Sequence, residues 1–133
     1  MKNKFLKFSI LVIFVLIGIQ GIPFDLTNPP EQTVLSWDSP HTQALFTRAC
    51  ADCHSHQTQW PWYSHIAPIS WFTKNHVDEG RESMNISIPD HAELDEIEHQ
   101  IHKGEMPLWS YTLLHPEARL SEIEKKRTHR RAE

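Results

Sequence analysis

Cys50, Cys53 and His54 lie in one short run, Cys50-Ala51-Asp52-Cys53-His54. The pattern is C-x-x-C-H, the spacing of a c-type haem attachment site. Two thiols three positions apart at the end of a helix can each form a thioether to one of the two vinyl groups of a single porphyrin. The histidine directly after the second thiol then lies under the iron and supplies the proximal nitrogen. The chain has 2 cysteines, so the motif uses them all. A zinc site would need a second pair of soft ligands, which only the 10 histidines could supply. A thioredoxin-like redox pair belongs at a strand-to-helix junction in a βαβ pattern, and no such pattern is present. A disulfide between Cys50 and Cys53 would close a short, strained loop. The adjacent His54 favours haem over all three.

A second axial ligand is sought among methionines and histidines. Met106 stands in Gly104-Glu105-Met106-Pro107, where a glycine ends a helix and a proline fixes the chain direction. A thioether there binds haem iron and raises its potential relative to a second histidine. Met1 is the initiator and Met84 sits near a helix end without turn residues around it. The competing role for Met106 is core filling, the commonest use of methionine. His56, His65, His76 and His115 are the rivals for the sixth position and read as surface or hydrogen-bonding residues. His41, His91, His99, His102 and His129 lie on polar segments and read as solvated.

These residues must be carried by helices. Ser39-Pro40 is a helix start, an N-cap serine followed by proline at the first helical position. Leu45, Phe46, Ala49, Cys50 and Cys53 then recur at helical spacing and bring both thiols and His54 to one side. Trp60-Pro61-Trp62-Tyr63 sets large rings around a proline; they suit the walls of a porphyrin pocket or the filling of a small core. Residues 68–82 form a second helix with Ile69, Phe72, His76 and Glu79 on one face, weakening at Gly80. Asp90-His91-Ala92-Glu93 opens a third helix as a capping-box-like start, with Leu94, Ile97 and Ile101 as its stripe and Gly104 as its stop. Ser121-Glu122-Ile123-Glu124 is a capping box for a last helix.

The N-terminus has the pattern of an export signal: Lys2, Lys4 and Lys7, then an apolar run from Phe8. Residues 8–24 carry no charge up to Asp25, which is at the lower limit of a membrane span. A retained anchor with the lysines inside and the domain outside is the first expectation, and a cleaved signal the second. Residues 1–22 are thus signal or anchor, 23–39 a Pro-, Asn- and Ser-rich linker from which Val34, Leu35 and Trp37 can pack inward, 40–124 the domain, and 125–133 a basic, disordered tail. The 13 basic and 17 acidic residues give a formal charge of −4, about −7 without the leading lysines, which argues against a nucleic-acid partner.

Together, Cys50 to His54, Trp60-Pro61-Trp62-Tyr63-Ser64, Asn75-His76-Val77 with Glu79-Gly80-Arg81, Gly104 to Pro107, and Tyr111 with His115-Pro116 resemble the family of small bacterial haem-binding domains with a single C-x-x-C-H motif, over residues 40–123. The resemblance implies an all-α, class I cytochrome c-like fold preceded by an N-terminal hydrophobic helix. It also implies one covalent haem c on Cys50 and Cys53, with His54 as proximal and Met106 as distal iron ligand. One departure is the basic turn after Glu124, where the family implies an apolar last helix. The expected function is one-electron transfer, without catalysis, on the periplasmic side of the bacterial inner membrane or in the soluble periplasm. Two other functions are weighed against it: a haem enzyme or gas or peroxide sensor with an open sixth site, and a non-haem dithiol oxidoreductase. The redox partner protein is not indicated.

Overall fold

The computed structural model describes residues 2–33, 36–91 and 94–129. Among them are helices α1 (Lys2–Ile19), α2 (Pro40–Ala49), α3 (Ala51–His54), α4 (Ile69–Ser83), α5 (Leu94–Lys103), α6 (Trp109–Leu114) and α7 (Glu122–His129), with single 3-10 turns at Trp62–His65 and Pro116–Ala118 and no strand. The all-α expectation holds. The chain divides into two units, residues 1–27 with 60–76, and residues 28–59 with 77–133.

In the first unit, α1 ends at Ile19 and is followed by a turn. Its uncharged residues 8–19 rise about 18 Å at 1.5 Å per residue, well short of the ~30 Å hydrocarbon core. No helix among the described residues is long and apolar enough to cross a membrane. The run counted to Phe24 in the sequence is therefore not one spanning helix. Gln20, just past the helix, holds both peptide groups of Ala67: its Oε1 accepts from the Ala67 N–H at 3.0 Å and its Nε2 donates to the Ala67 carbonyl at 2.9 Å.

The second unit is built on α2. Ser39 caps it, its hydroxyl accepting from the Thr42 N–H at 3.2 Å, with Pro40 in the first turn as expected. Leu45, Phe46 and Ala49 are its buried face, joined in the core by Ala51, Val77, Ile101 and Ala118. Trp37 lies against Phe46, ring centroids 5.3 Å apart; Val34 and Leu35 lie outside the described residues. Helix α2 packs on the 116–118 turn and α5 on α7.

Three readings change. Residues 28–33, expected as linker, are bonded into the second unit: the Gln32 and Thr33 N–H groups both donate to the Ser87 carbonyl, at 2.9 and 3.2 Å. The buried side of α4 carries Ser70 and Val77, while Ile69 and Phe72 are exposed. Helix α7 continues to His129 although Lys125 to His129 contain no large apolar residue. Its start is the capping box read from sequence, with Glu124 accepting from the Ser121 N–H at 2.7 Å and the Glu124 N–H donating to the Ser121 hydroxyl at 3.3 Å. Ile123 is exposed; besides its packing on α5, the helix is tied to α2 by an ion pair, Arg48 to Glu124 at 2.7 Å. The box proposed at Asp90 to Glu93 includes Ala92 and Glu93, outside the described residues.

Candidate functional site

Cys50 is the joint between α2 and α3 (φ −131°, ψ −33°). Its N–H still bonds the Phe46 carbonyl at 2.8 Å, and its carbonyl accepts from Cys53 and His54, at 3.1 and 2.9 Å. Both thiols and the imidazole therefore ride on one hydrogen-bonded turn at the end of a helix. The cysteines are unbridged and half-buried. Burial, then the neighbouring Cys53, pushes the Cys50 thiol up to about 12; burial, then Asp52, pushes Cys53 up to about 11. Protonated thiols are the opposite of the lowered thiol that a dithiol oxidoreductase uses as nucleophile.

The imidazole of His54 is oriented by main chain. Its Nδ1–H donates to the carbonyls of Gly80, at 2.9 Å, and Met84, at 3.2 Å. Carbonyls only accept, so the proton is on Nδ1 and the lone pair on Nε2, the arrangement of a metal-ligating histidine held by its outer neighbours. The His54 carbonyl in turn accepts from the Ile86 N–H at 3.0 Å. This contact needs a glycine at 80: a Cβ there would stand 2.6 Å from the Cys53 carbonyl oxygen, closer than real atoms approach. Gly80, taken in the sequence for a weak point of the helix, is the place where α4 touches the motif.

Polar side chains complete the cradle. Arg81 donates from Nε to the Ser55 carbonyl at 2.9 Å, and from Nη2 to Asn28 at 2.7 Å and to the Thr58 hydroxyl at 2.8 Å. His56 is buried, with Nδ1 donating to the Pro30 carbonyl and Nε2 accepting from the Asn85 amide, each at 2.9 Å. Both ring nitrogens are engaged inside the protein, so His56 is a structural group and not a rival ligand. His76 donates to the Phe72 carbonyl at 2.9 Å. His115 stacks on Tyr111, centroids 4.4 Å apart, and pairs with Glu117 at 3.0 Å.

Met106 arrives on a separate turn. Gly104 has φ +73°, its N–H bonds the Ile101 carbonyl at 3.1 Å, and the Glu105 N–H bonds the Gln100 carbonyl at 3.1 Å. This pair of bonds is a Schellman stop, as the glycine foretold. Met106, half-buried, follows with its N–H 3.3 Å from the same Gln100 carbonyl. The chain then enters α6, whose Tyr111 hydroxyl donates to Asp52 Oδ2 at 2.7 Å. Burial, then this bond to Asp52, pushes the phenol far above its ordinary value, so it is a permanent donor. The motif and the turn that carries Met106 are thus connected through Asp52 and Tyr111, a link that sequence reasoning missed. Tyr111 stood out there only as part of a resemblance.

Trp62 does not fill the core: it is 76% exposed, edge-on to Tyr63 at 5.9 Å. Trp60 is half-buried and its indole N–H has no partner among the described residues. Among the described residues no cluster of three His, Cys, Asp or Glu side chains could hold a bare metal ion, which removes the zinc reading there.

An all-helical chain with an oriented histidine behind paired thiols defines a small haem-binding domain. The model of the haem-binding domain family matches residues 14–131, and the chain belongs to that family. No curated protein and no solved structure matches it. The residues present fit a haem. His54 offers Nε2 with its tautomer fixed, Gly80 leaves room for main chain to approach the motif, and two unbridged thiols precede the histidine on the same turn.

Proposed function

We propose that this chain is a mono-haem c-type cytochrome that carries single electrons on the outer side of the bacterial inner membrane. The observation that carries the reading is the double carbonyl contact at His54 Nδ1, which leaves Nε2 for iron directly after a C-x-x-C pair. Bound haem iron would supply a one-electron ferric–ferrous couple. Cys50 and Cys53 would each add across one vinyl group, the sulfur bonding one carbon and the thiol proton ending on the other, with no net oxidation. His54 Nε2 and the Met106 thioether would hold the iron. With both axial places filled by protein, the chain would offer no substrate site, and its residues would set potential by burial and hydrogen bonding.

Export suits the N-terminal element. Residues 8–19 of α1 have the length of a signal-type apolar core, and covalent haem protects two cysteines from the oxidising compartment beyond the membrane. We take α1 to be retained and to lie in lipid without crossing it as a single helix.

The test is protein made with its export and haem-attachment machinery. Mass spectrometry of the denatured chain should find one haem added covalently; a mass equal to the polypeptide alone would end the proposal. The ferric protein should show the weak red-end absorption band of sulfur ligation, and Met106→Ala should abolish it. Persistence of the band in that variant would remove Met106, and rapid carbon monoxide binding by the reduced wild type would favour an open sixth site.

A further inference from the structure

Exposed rings are concentrated in the first unit. Trp62, Trp71 and Phe72 stand open to solvent together with Ile66 and Ile69, in the same unit as the apolar residues of α1. Isolated exposed side chains are normal; five large apolar ones within residues 62–72 make this segment a candidate contact surface. Charge separates the same way. Lys2, Lys4, Lys7 and Lys74 oppose only Asp25 in this unit, so the second unit holds the whole acidic excess of the chain.

We propose that the segment from Trp62 to Phe72 is a second lipid contact, docking in the interfacial layer of an anionic bilayer beside α1. This rests on the reading above that α1 is retained and lies in lipid. The Gln20 clasp gives the mechanical reason: by holding both peptide groups of Ala67, it fixes the ring-bearing segment to the exit of α1, so whatever surface receives α1 also receives the rings. Indole rings favour the membrane–water boundary, where an apolar body and an N–H donor are both satisfied. The formal excess of three positive charges in this unit selects lipid over a second copy of it: two such units would repel, whereas anionic headgroups attract them.

The experiment uses the full haem-loaded chain with vesicles of phosphatidylglycerol and phosphatidylethanolamine, and with phosphatidylcholine vesicles as the neutral arm. Flotation reads binding, and hydroxyl-radical footprinting by mass spectrometry reads each ring. Trp62 and Phe72 should lose reactivity on the anionic vesicles, while Trp109, 77% exposed in the second unit, keeps its own. The doubly substituted Ile69→Ser/Phe72→Ser chain, altered only at exposed positions outside the Trp60–Tyr63 run, should keep its haem spectrum and move between vesicles about tenfold faster. If the chain floats but Trp62 and Phe72 react as freely as Trp109, α1 alone holds it and the ring contact is refuted. Unchanged transfer by the double variant, or ring protection in detergent through dimer formation, also refutes it. If the chain does not float at all, the α1 reading falls with it.

Discussion

The two sides proposed for the iron are built differently. Behind His54 the chain is held by main-chain carbonyls, a glycine contact, an arginine fork and a buried His56–Asn85 pair. Around Met106 there is a helix stop and, further on, one phenol–carboxylate bond. The first side spreads its orientation over many partners; the second depends on few. The difference teaches which failures should be global and which local. Damage behind His54 should unfold the domain or prevent haem retention, whereas damage around Met106 should change ligation in a molecule that stays folded.

The sharpest way to break this contrast is Gly80→Ala. The new Cβ would meet the Cys53 carbonyl at 2.6 Å, and backbone cannot step aside cheaply. We expect a loss on the order of 3 kcal/mol and poor haem retention, read by thermal melting and by haem content. Wild-type stability in this variant would mean that the α4 contact does not hold the motif. Asn85→Leu comes next. Asn85 is 1% exposed, and its loss strands His56 Nε2 and the Ser87 N–H, which bonds Asn85 Oδ1 at 2.9 Å. Two buried unmatched groups cost about 2–4 kcal/mol, measurable as a lower denaturant midpoint.

The contrast is sharpened on the other side by Tyr111→Phe. The ring keeps its stack on His115 and only the hydroxyl is lost, so folding stability should fall by about 1 kcal/mol. The specific readout is ligation: imidazole added to ferric protein should displace Met106 faster than in wild type. An unchanged rate would show that the Asp52 bond does not steady that turn. The smallest effect concerns the far end of the domain. Bonds from the Ser121 N–H and hydroxyl, with Arg48 nearby, hold the Glu124 carboxyl below its ordinary 4.5. A depressed carboxylate contributes stability above its unfolded value and loses it as pH falls. The Glu124→Gln chain should therefore melt below wild type at neutral pH, and the gap should close as the pH drops below about 4.5.

Much of this was legible in local spacing. The Ser39-Pro40 start, the Gly104 stop and the Ser121–Glu124 box each depend on residues within a turn of one another, and each kept its reading; the C-x-x-C-H run pointed to haem, and the family match agrees. What sequence hid was contact between distant segments. Gly80 has the same letter as a helix weak point, and only the approach of Cys53 gives it another meaning. His56 read as a surface or hydrogen-bonding residue, but its partners, Asn85 and the Pro30 carbonyl, could not be named from sequence. Helix α6 is too short for a periodic signal, and the spacing of Ile69 and Phe72 does not say that their face is the exposed one. At α1, composition suggested an anchor, but the helix ends at Ile19.

Both acceptors of the His54 proton are peptide oxygens, one in the last turn of α4 and one just beyond it. An engineer wishing to retune the donor strength of that imidazole would find no side chain to exchange: altering either acceptor means reshaping backbone that also carries the glycine contact. On the ligation proposed above, adjustment of the redox level would have to come from the methionine side, where single atoms can be swapped without rebuilding a helix.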